Sequence, residues 1–288
     1  MSEDGRLFLI IGGHPIYTAD TRRSLQWVVK RVVGLNARES LVAVHCWEGT
    51  PHPRSFFKSN HWFVWLLWQV TRPLKPARLC VEKIYQQAKA HKSRGTEVQS
   101  VFQSLGLGTD VRLCLEPIFD FSAGFCALDP RHMDDLRLRA GRAGSSNLLG
   151  FQNMPLMFMG IKRALEVSGA YLDADVVIRY RPDLVISPVD IRTYVRRIEA
   201  GSCDFISLCN HGGLTGYKDG RVPDLFFVTT RRVLGRILAE LFHCDAIYEA
   251  SRRAKSSGFG GEVILGEIAR RLDLSVEIFE GIERIERL

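Results

Sequence analysis

No apolar run in the chain approaches the ~18 residues that a membrane-spanning helix needs, so no such helix is expected. The opening, Met1-Ser-Glu-Asp-Gly-Arg6, has neither the basic start nor the apolar core of a secretory signal, which makes the cytoplasm the expected location. No Cys-x-x-Cys pair occurs. The cysteines, Cys46, Cys80, Cys114, Cys126, Cys203, Cys209 and Cys244, are odd in number and lie mostly in apolar runs. That pattern argues against a disulfide framework or a zinc site, and for free buried thiols in a reducing compartment. Neither a Gly-x-Gly-x-x-Gly fingerprint nor a Walker A loop is present, so a dinucleotide site and a P-loop have no support. No Ser/His/Asp or Cys/His arrangement stands out for nucleophilic catalysis, no nucleic-acid motif is found, and no internal repeat is visible.

What the chain does have is a basic balance concentrated in one place. Its formal net charge is +7. Residues 50–96 hold nine Lys or Arg and one acid, Glu82, so this stretch accounts for the whole excess. The same stretch carries Trp62, Trp65 and Trp68, spaced to form one stripe on a helix. Two readings fit. The helix buries its tryptophans on the protein body, or it lays tryptophans and lysines on an anionic membrane as a peripheral contact at the inner face.

Hydrophobic content of 46% and charged content of 25% suit a folded domain with an ordinary core. Residues 6–13 read as a buried strand running into a glycine turn, 21–33 as a helix, and 40–47 as a second strand. This β-α-β opening argues for a parallel sheet. Strands are expected again at 109–116, 204–209, 224–230 and 275–279, and helices at 152–167, 191–198, 232–242 and 262–272. Residues 129–147, polar and glycine-rich, read as a mobile loop. The fold class is therefore α/β. A mostly parallel, Rossmann-type sheet is flanked by helices in a single domain over residues 1–288, with 50–96 as a basic helical insertion.

The stretch from Asp173 to Ser187, Asp-Ala-Asp-Val-Val-Ile-Arg-Tyr-Arg-Pro-Asp-Leu-Val-Ile-Ser, is the richest in chemistry. It begins as a β-branched strand, and Pro182, which cannot donate to a ladder, ends or edges that strand. Arg179, Arg181 and Asp183 thus arrive together at a strand's C-terminal end, where open α/β sheets bind ligands. Guanidinium forks suit a diphosphate, and a carboxylate suits a divalent cation that bridges one. A purely structural Arg–Asp cluster fits the same residues. Gly12, Gly13 and His14 follow the first strand, where glycine lets a ligand approach the backbone. Arg22 opens the next helix, where an anion also feels the helix N-terminus. His45 and Trp47 end the second strand, a place for nucleotide contact or for a core histidine. Asp224 and Glu262 both follow glycine-rich loops; Glu262, in the first turn of its helix, is a candidate general base or simply a favourable helix-start acid.

Taken in order, the Gly-containing loop, Val44-His-Cys-Trp47, Asp175-Val-Val-Ile-Arg-Tyr-Arg-Pro-Asp183, Asp224-Leu-Phe-Phe-Val-Thr-Thr-Arg231 and Gly260-Gly-Glu-Val-Ile-Leu265 resemble bacterial WavE-type and related capsule or lipopolysaccharide-synthesis glycosyltransferases with a GT-A-like fold. The resemblance covers most of the chain outside 50–96 and 129–147. It implies a nucleotide-sugar donor and a glycan or glycolipid acceptor. It implies that Asp183 takes the place of the last Asp of a DxD motif and binds Mn²⁺ or Mg²⁺ on the diphosphate, flanked by Arg179 and Arg181. Gly12, Gly13, His14, His45 and Trp47 would line the nucleotide, Asp224 would contact sugar or acceptor, and Glu262 would be the base. The chain departs from the pattern at Arg181, which stands where a DxD has its first Asp, and at Gly261, where the family often has Pro. Two other classes compete: a non-catalytic basic protein that binds nucleic acid or membrane through 50–96, and another nucleotide-using α/β enzyme such as a methyltransferase.

Overall fold

The computed structural model describes residues 6–12, 19–35, 40–48, 111–117, 145–170, 172–214, 220–241 and 261–285. The basic, tryptophan-bearing stretch 50–96, most of the expected loop at 129–147, and Gly13 and His14 lie outside these residues. The elements in chain order are β1 (Leu7–Gly12), α1 (Ala19–Leu35), β2 (Ser40–Glu48), β3 (Val111–Pro117), α2 (Ser145–Ser168), β4 (Val176–Tyr180), β5 (Leu184–Ile186), α3 (Ile191–Glu199), β6 (Phe205–Asn210), β7 (Phe226–Thr230), α4 (Arg231–Leu241), α5 (Gly261–Arg271) and β8 (Val276–Ile285). The last three residues of the stretch read as a loop, 145–147, belong to α2.

The strands form one eight-stranded sheet in the order β3-β2-β1-β4-β7-β6-β8-β5. The pairings make β1, β2, β3, β4, β6 and β8 run one way, with β7 and β5 opposed. The sheet is therefore mostly parallel, as the β-α-β opening implied, with an antiparallel strand set into its middle. Strand alternation divides the apolar side chains between two faces. Leu9, Ile11, Ile178 and Tyr180 meet Leu25, Val28 and Val32 of α1 and Ile191 and Val195 of α3. Ile10, Val177 and Phe227 meet Phe158 and Ile161 of α2, Leu234 of α4 and Ile264 of α5. Both sides of β1 and β4 are thus covered, which explains their nearly unbroken apolar sequences.

Pro182 ends β4, but the residues beyond it do not wander off. Only Arg181, Pro182 and Asp183 separate β4 from β5, and β5 pairs antiparallel with β8 at the far end of the strand order. The sheet must curl to allow this. The curl brings β5 against α1, where the Ser24 hydroxyl accepts the Ile186 N–H at 2.9 Å. Among the described residues, no helix is long and apolar enough to cross a membrane.

Candidate active site at the switch point of the sheet

From β1 the chain steps outward to β2 and β3, then returns through α2 to β4 on the other side of β1. The helices that follow the two directions, α1 and α2, cover opposite faces. The C-terminal ends of β1 and β4 therefore flank the crevice at which open α/β sheets bind ligands. Ile11 is in register with Tyr180, so Gly12 stands beside the start of the Arg181–Asp183 turn. Among the described residues, a Cβ at Gly12 would meet nothing within 4 Å.

Along β4, Val176, Ile178 and Tyr180 face α1 and α3, which leaves Val177 and Arg179 on the opposite face. Arg179 is 1% exposed, the largest fully buried side chain. Its Nη1 donates to the Asp224 carbonyl, and its guanidinium carbon lies 5.8 Å from the centre of the Phe227 ring. Its Nε has no partner among the described residues. Burial pulls the Arg179 pKa down to about 10; Asp224 and Asp183 work against that fall and Arg181 adds to it.

The next residue on this face, Arg181, grips Asp183 with two parallel donors. Nε reaches Oδ1 at 2.6 Å, and Nη2 reaches Oδ2. Burial works against the Arg181 charge, but Asp183, Asp224 and Glu262 together more than offset it, and its pKa lies above the ordinary arginine value. Arg181, Asp183, Asp224 and Glu262 are thus one electrostatic cluster.

Asp224 reaches the cluster from the antiparallel strand β7. That strand begins at Phe226, two residues later than the sequence pattern indicated, so Asp224 sits in the connection just ahead of it. Phe226 pairs with Tyr180, which puts Asp224 beside the Arg181–Asp183 turn. The connection is pinned from beneath by Ser207, whose hydroxyl donates to the Pro223 carbonyl at 2.6 Å. It is pinned from the side by the Val222 N–H, which donates to the Glu262 carbonyl at 3.0 Å. Asp224 is 7% exposed, yet no hydrogen bond to its carboxylate occurs among the described residues. Gly261, the first residue of α5, is what makes room: a Cβ there would land on Asp224 Oδ2. Any larger residue at this position would displace the acid. Sequence reasoning did not foresee the parts played by Ser207 and Gly261, because both act on a residue distant in the chain.

The remaining expected contacts are distributed as follows. His45 is fully buried in β2, in register with Gly12. It does not end its strand, which runs on to Glu48; Trp47 is nearer that end. Arg22 is exposed in the first turns of α1. Its neighbour Arg23 is held by Asp20, which also binds Arg284 at the end of β8. Cys203 and Cys209 are buried free thiols, and burial raises both pKa values.

The described residues do not fit the divalent cation that the resemblance implies. Both oxygens of Asp183 are taken by Arg181. Among the described residues, no group of three or more His, Cys, Asp or Glu is placed to hold a metal ion.

No protein-family model matches the chain, and no curated protein sequence matches it. Among solved structures, mouse xyloside xylosyltransferase 1 in its apo form is similar over 96% of this chain and 85% of that one, with a TM-score of 0.42 and 8% identity. A likeness so remote leaves fold family and activity to be argued from the residues.

Proposed function

We propose that this protein is a nucleotide-sugar-dependent glycosyltransferase that moves a sugar to a hydroxyl of a cell-surface glycan or glycolipid. One observation carries the reading. At the switch point of the sheet, the Asp224 carboxylate, which has no hydrogen-bond donor among the described residues, stands between two guanidiniums and the N-terminus of α5. A carboxylate so placed keeps lone pairs for hydroxyl donors, and sugar hydroxyls are donors of the right kind.

In this reading the diphosphate lies over Gly12 and the turn. Arg181 has five N–H donors and uses two on Asp183. The others are left for phosphate oxygens, with the Arg179 charge buried behind them. Asp183, Asp224 and Glu262 outweigh these two guanidiniums in formal charge, so recognition here is directional rather than a matter of net attraction. Asp224 contacts the donor sugar, and Glu262, at the mouth of the same cluster, is the sequence-level candidate for the base. When the bond to the donor breaks, negative charge grows on the leaving diphosphate, and prearranged guanidinium donors stabilise it. The resemblance to WavE-type enzymes with a GT-A-like fold supports the same class.

The test is a panel of sugar nucleotides scored for donor hydrolysis, beside calorimetric titration with nucleoside diphosphates. One or more donors should be hydrolysed by the wild type, and Asp224→Asn should abolish that hydrolysis with the melting curve little changed. Absence of hydrolysis and of nucleotide binding across the panel would overturn the reading.

A further inference from the structure

At the same edge of the sheet, beyond β6, four polar side chains converge. Ser187 Oγ lies 2.8 Å from His211 Nε2 and 3.1 Å from Glu283 Oε1. His211 Nδ1 faces Glu280 Oε2 at 3.6 Å, and Glu280 Oε1 accepts the Gly212 N–H at 2.8 Å. Ser187 follows β5, His211 follows β6, and both glutamates lie on β8. In a regular strand, Glu280 and Glu283 would point to opposite faces. Here β8 is irregular on both sides: its pairing skips Gly281 against β6 and Glu283 against β5. Bulges of this kind re-aim side chains next to functional sites, and these turn both carboxylates toward one Ser–His pair. Gly281 lets the bend pack closely, because a Cβ there would come within 2.9 Å of Val189 Cγ1 and 3.0 Å of Leu208 Cδ1. The Ser187 N–H donates to the Gly281 carbonyl at 2.9 Å, and the His211 N–H to the Ile282 carbonyl at 3.1 Å. The cluster is thus fixed to β8 by backbone as well as side chains.

A carboxylate behind Nδ1 and a hydroxyl at Nε2 is the arrangement that accepts a proton from a hydroxyl. Ser187 is not itself a suitable nucleophile. The neighbouring N–H groups of Gly212 and Gly213 are engaged by Glu280 and by the Asn210 carbonyl. The Glu283 carboxylate beside Ser187 would oppose an oxyanion. Ser187 has a second acceptor in Glu283, however, so its hydroxyl can turn away and leave Nε2 to a hydroxyl from outside. The His211 side chain is 52% exposed, within reach of such a group. The cluster shares β6 with the donor site: Ser207, four residues before His211, donates its hydroxyl to the Pro223 carbonyl beside Asp224, and β6 pairs with β7, the neighbour of β4.

We propose that His211 takes the proton of the acceptor hydroxyl, with Glu280 as the residue that positions its ring. The assignment rests on the glycosyltransferase reading, and it moves the base from Glu262, whose charge supports Arg181, to a side chain built for proton transfer. The acceptor oxygen bonds to the anomeric carbon of the donor. The bond from that carbon to the diphosphate oxygen breaks, its electron pair leaves with the nucleoside diphosphate, and the proton ends on Nε2. Such a displacement inverts the anomeric configuration. Among the described residues, the ionisable groups that face His211 are Glu280 and Glu283 of β8, with Cys209 of β6 close by.

The experiment compares wild type, His211→Gln, Glu280→Gln and Glu262→Gln on nitrophenyl glycoside acceptors, using the sugar nucleotide that the wild type hydrolyses. Binding of UDP, GDP and ADP is measured in parallel by calorimetry. His211→Gln should lower kcat by about 100-fold or more, remove the acidic limb of the kcat–pH profile, and leave nucleotide affinity unchanged. Glu280→Gln should displace that limb and lower kcat less. The product should show inverted configuration by NMR. A wild-type kcat in His211→Gln, or a product with retained configuration, overturns this assignment alone. A wild type that binds no nucleoside diphosphate and hydrolyses no donor overturns the glycosyltransferase reading and this assignment with it.

Discussion

Strand β4 has an Arg–Asp pair at each end, and the two are built differently. At its start, the fully buried Asp175 accepts the Arg6 N–H at 3.0 Å, the Leu172 N–H at 3.1 Å and Arg6 Nη2 at 3.1 Å. Arg6 in turn donates to the Gly169 carbonyl at 3.1 Å. Three of these four bonds join a side chain to the main chain, and the fourth is the Arg6–Asp175 ion pair itself. At the other end, Asp183 is held by the Arg181 side chain, and the Asp224 carboxylate by no donor among the described residues. A carboxylate whose oxygens are consumed by main-chain N–H groups is a fastener. One that only faces guanidinium side chains retains lone pairs for something that arrives later.

The sharpest test of that contrast is to remove each acid in turn. Asp175→Ala strips two main-chain donors and an arginine of their acceptor, and should cost about 3–5 kcal/mol in urea unfolding, the range for breaking a buried pair. Asp183→Ala should cost less, since Arg181 retains 22% side-chain exposure and can turn to water, while abolishing sugar transfer. Equal stability losses, with transfer intact in Asp183→Ala, would erase the distinction. A step smaller is Gly261→Ala, which displaces the Asp224 carboxylate without touching its charge. Transfer should fall about 100-fold, as for a misplaced reacting group, and steady-state kinetics beside a near-UV spectrum would show whether the fold survives. Smaller again is the effect of a chelator. Nucleoside diphosphate binding measured in EDTA should equal that in Mn²⁺, because Arg181 and not a cation holds Asp183; strict metal dependence would show that the turn rearranges. The smallest effect belongs to Asp190, a fastener in water that caps α3 through the Thr193 N–H at 3.1 Å and hydroxyl at 2.6 Å. Those bonds to Thr193 hold its pKa below the ordinary carboxylate value. Its contribution is therefore present above that ordinary value and lost as pH falls through the lowered one. Asp190→Ala should lower the melting temperature slightly at neutral pH and not at all in strong acid.

Much of the sheet was legible because its signals are local. An apolar β-branched run, a glycine turn and a helical period each announce themselves within a dozen residues or so, and they located β1, α1, β2 and β4 closely. The convergence of Arg179, Arg181 and Asp183 was legible for the same reason, since one strand end carries all three. Contacts made by register and curl were not legible. Nothing near Leu184 in sequence reveals that it will pair with Ile285. Ser187, His211 and Glu280 went unnoticed because no spacing links them; only the bulges of β8 bring them together. Asp224 was read as a strand residue, but it stands just outside β7, in the connection ahead of it.

The return of β5 onto β8 has a consequence for the order in which the site comes into being. The Arg181–Asp183 turn is clamped at one side by β4 and at the other by a short strand whose sheet partner is the last strand in the chain. During synthesis, β1 to β4 can pair while β8 is still unmade, but the turn keeps a free end until β8 arrives. Maturation of the donor cluster is therefore tied to completion of the sheet's far edge. A nascent or C-terminally nicked chain could hold a folded β1–β4 half and still have no working site.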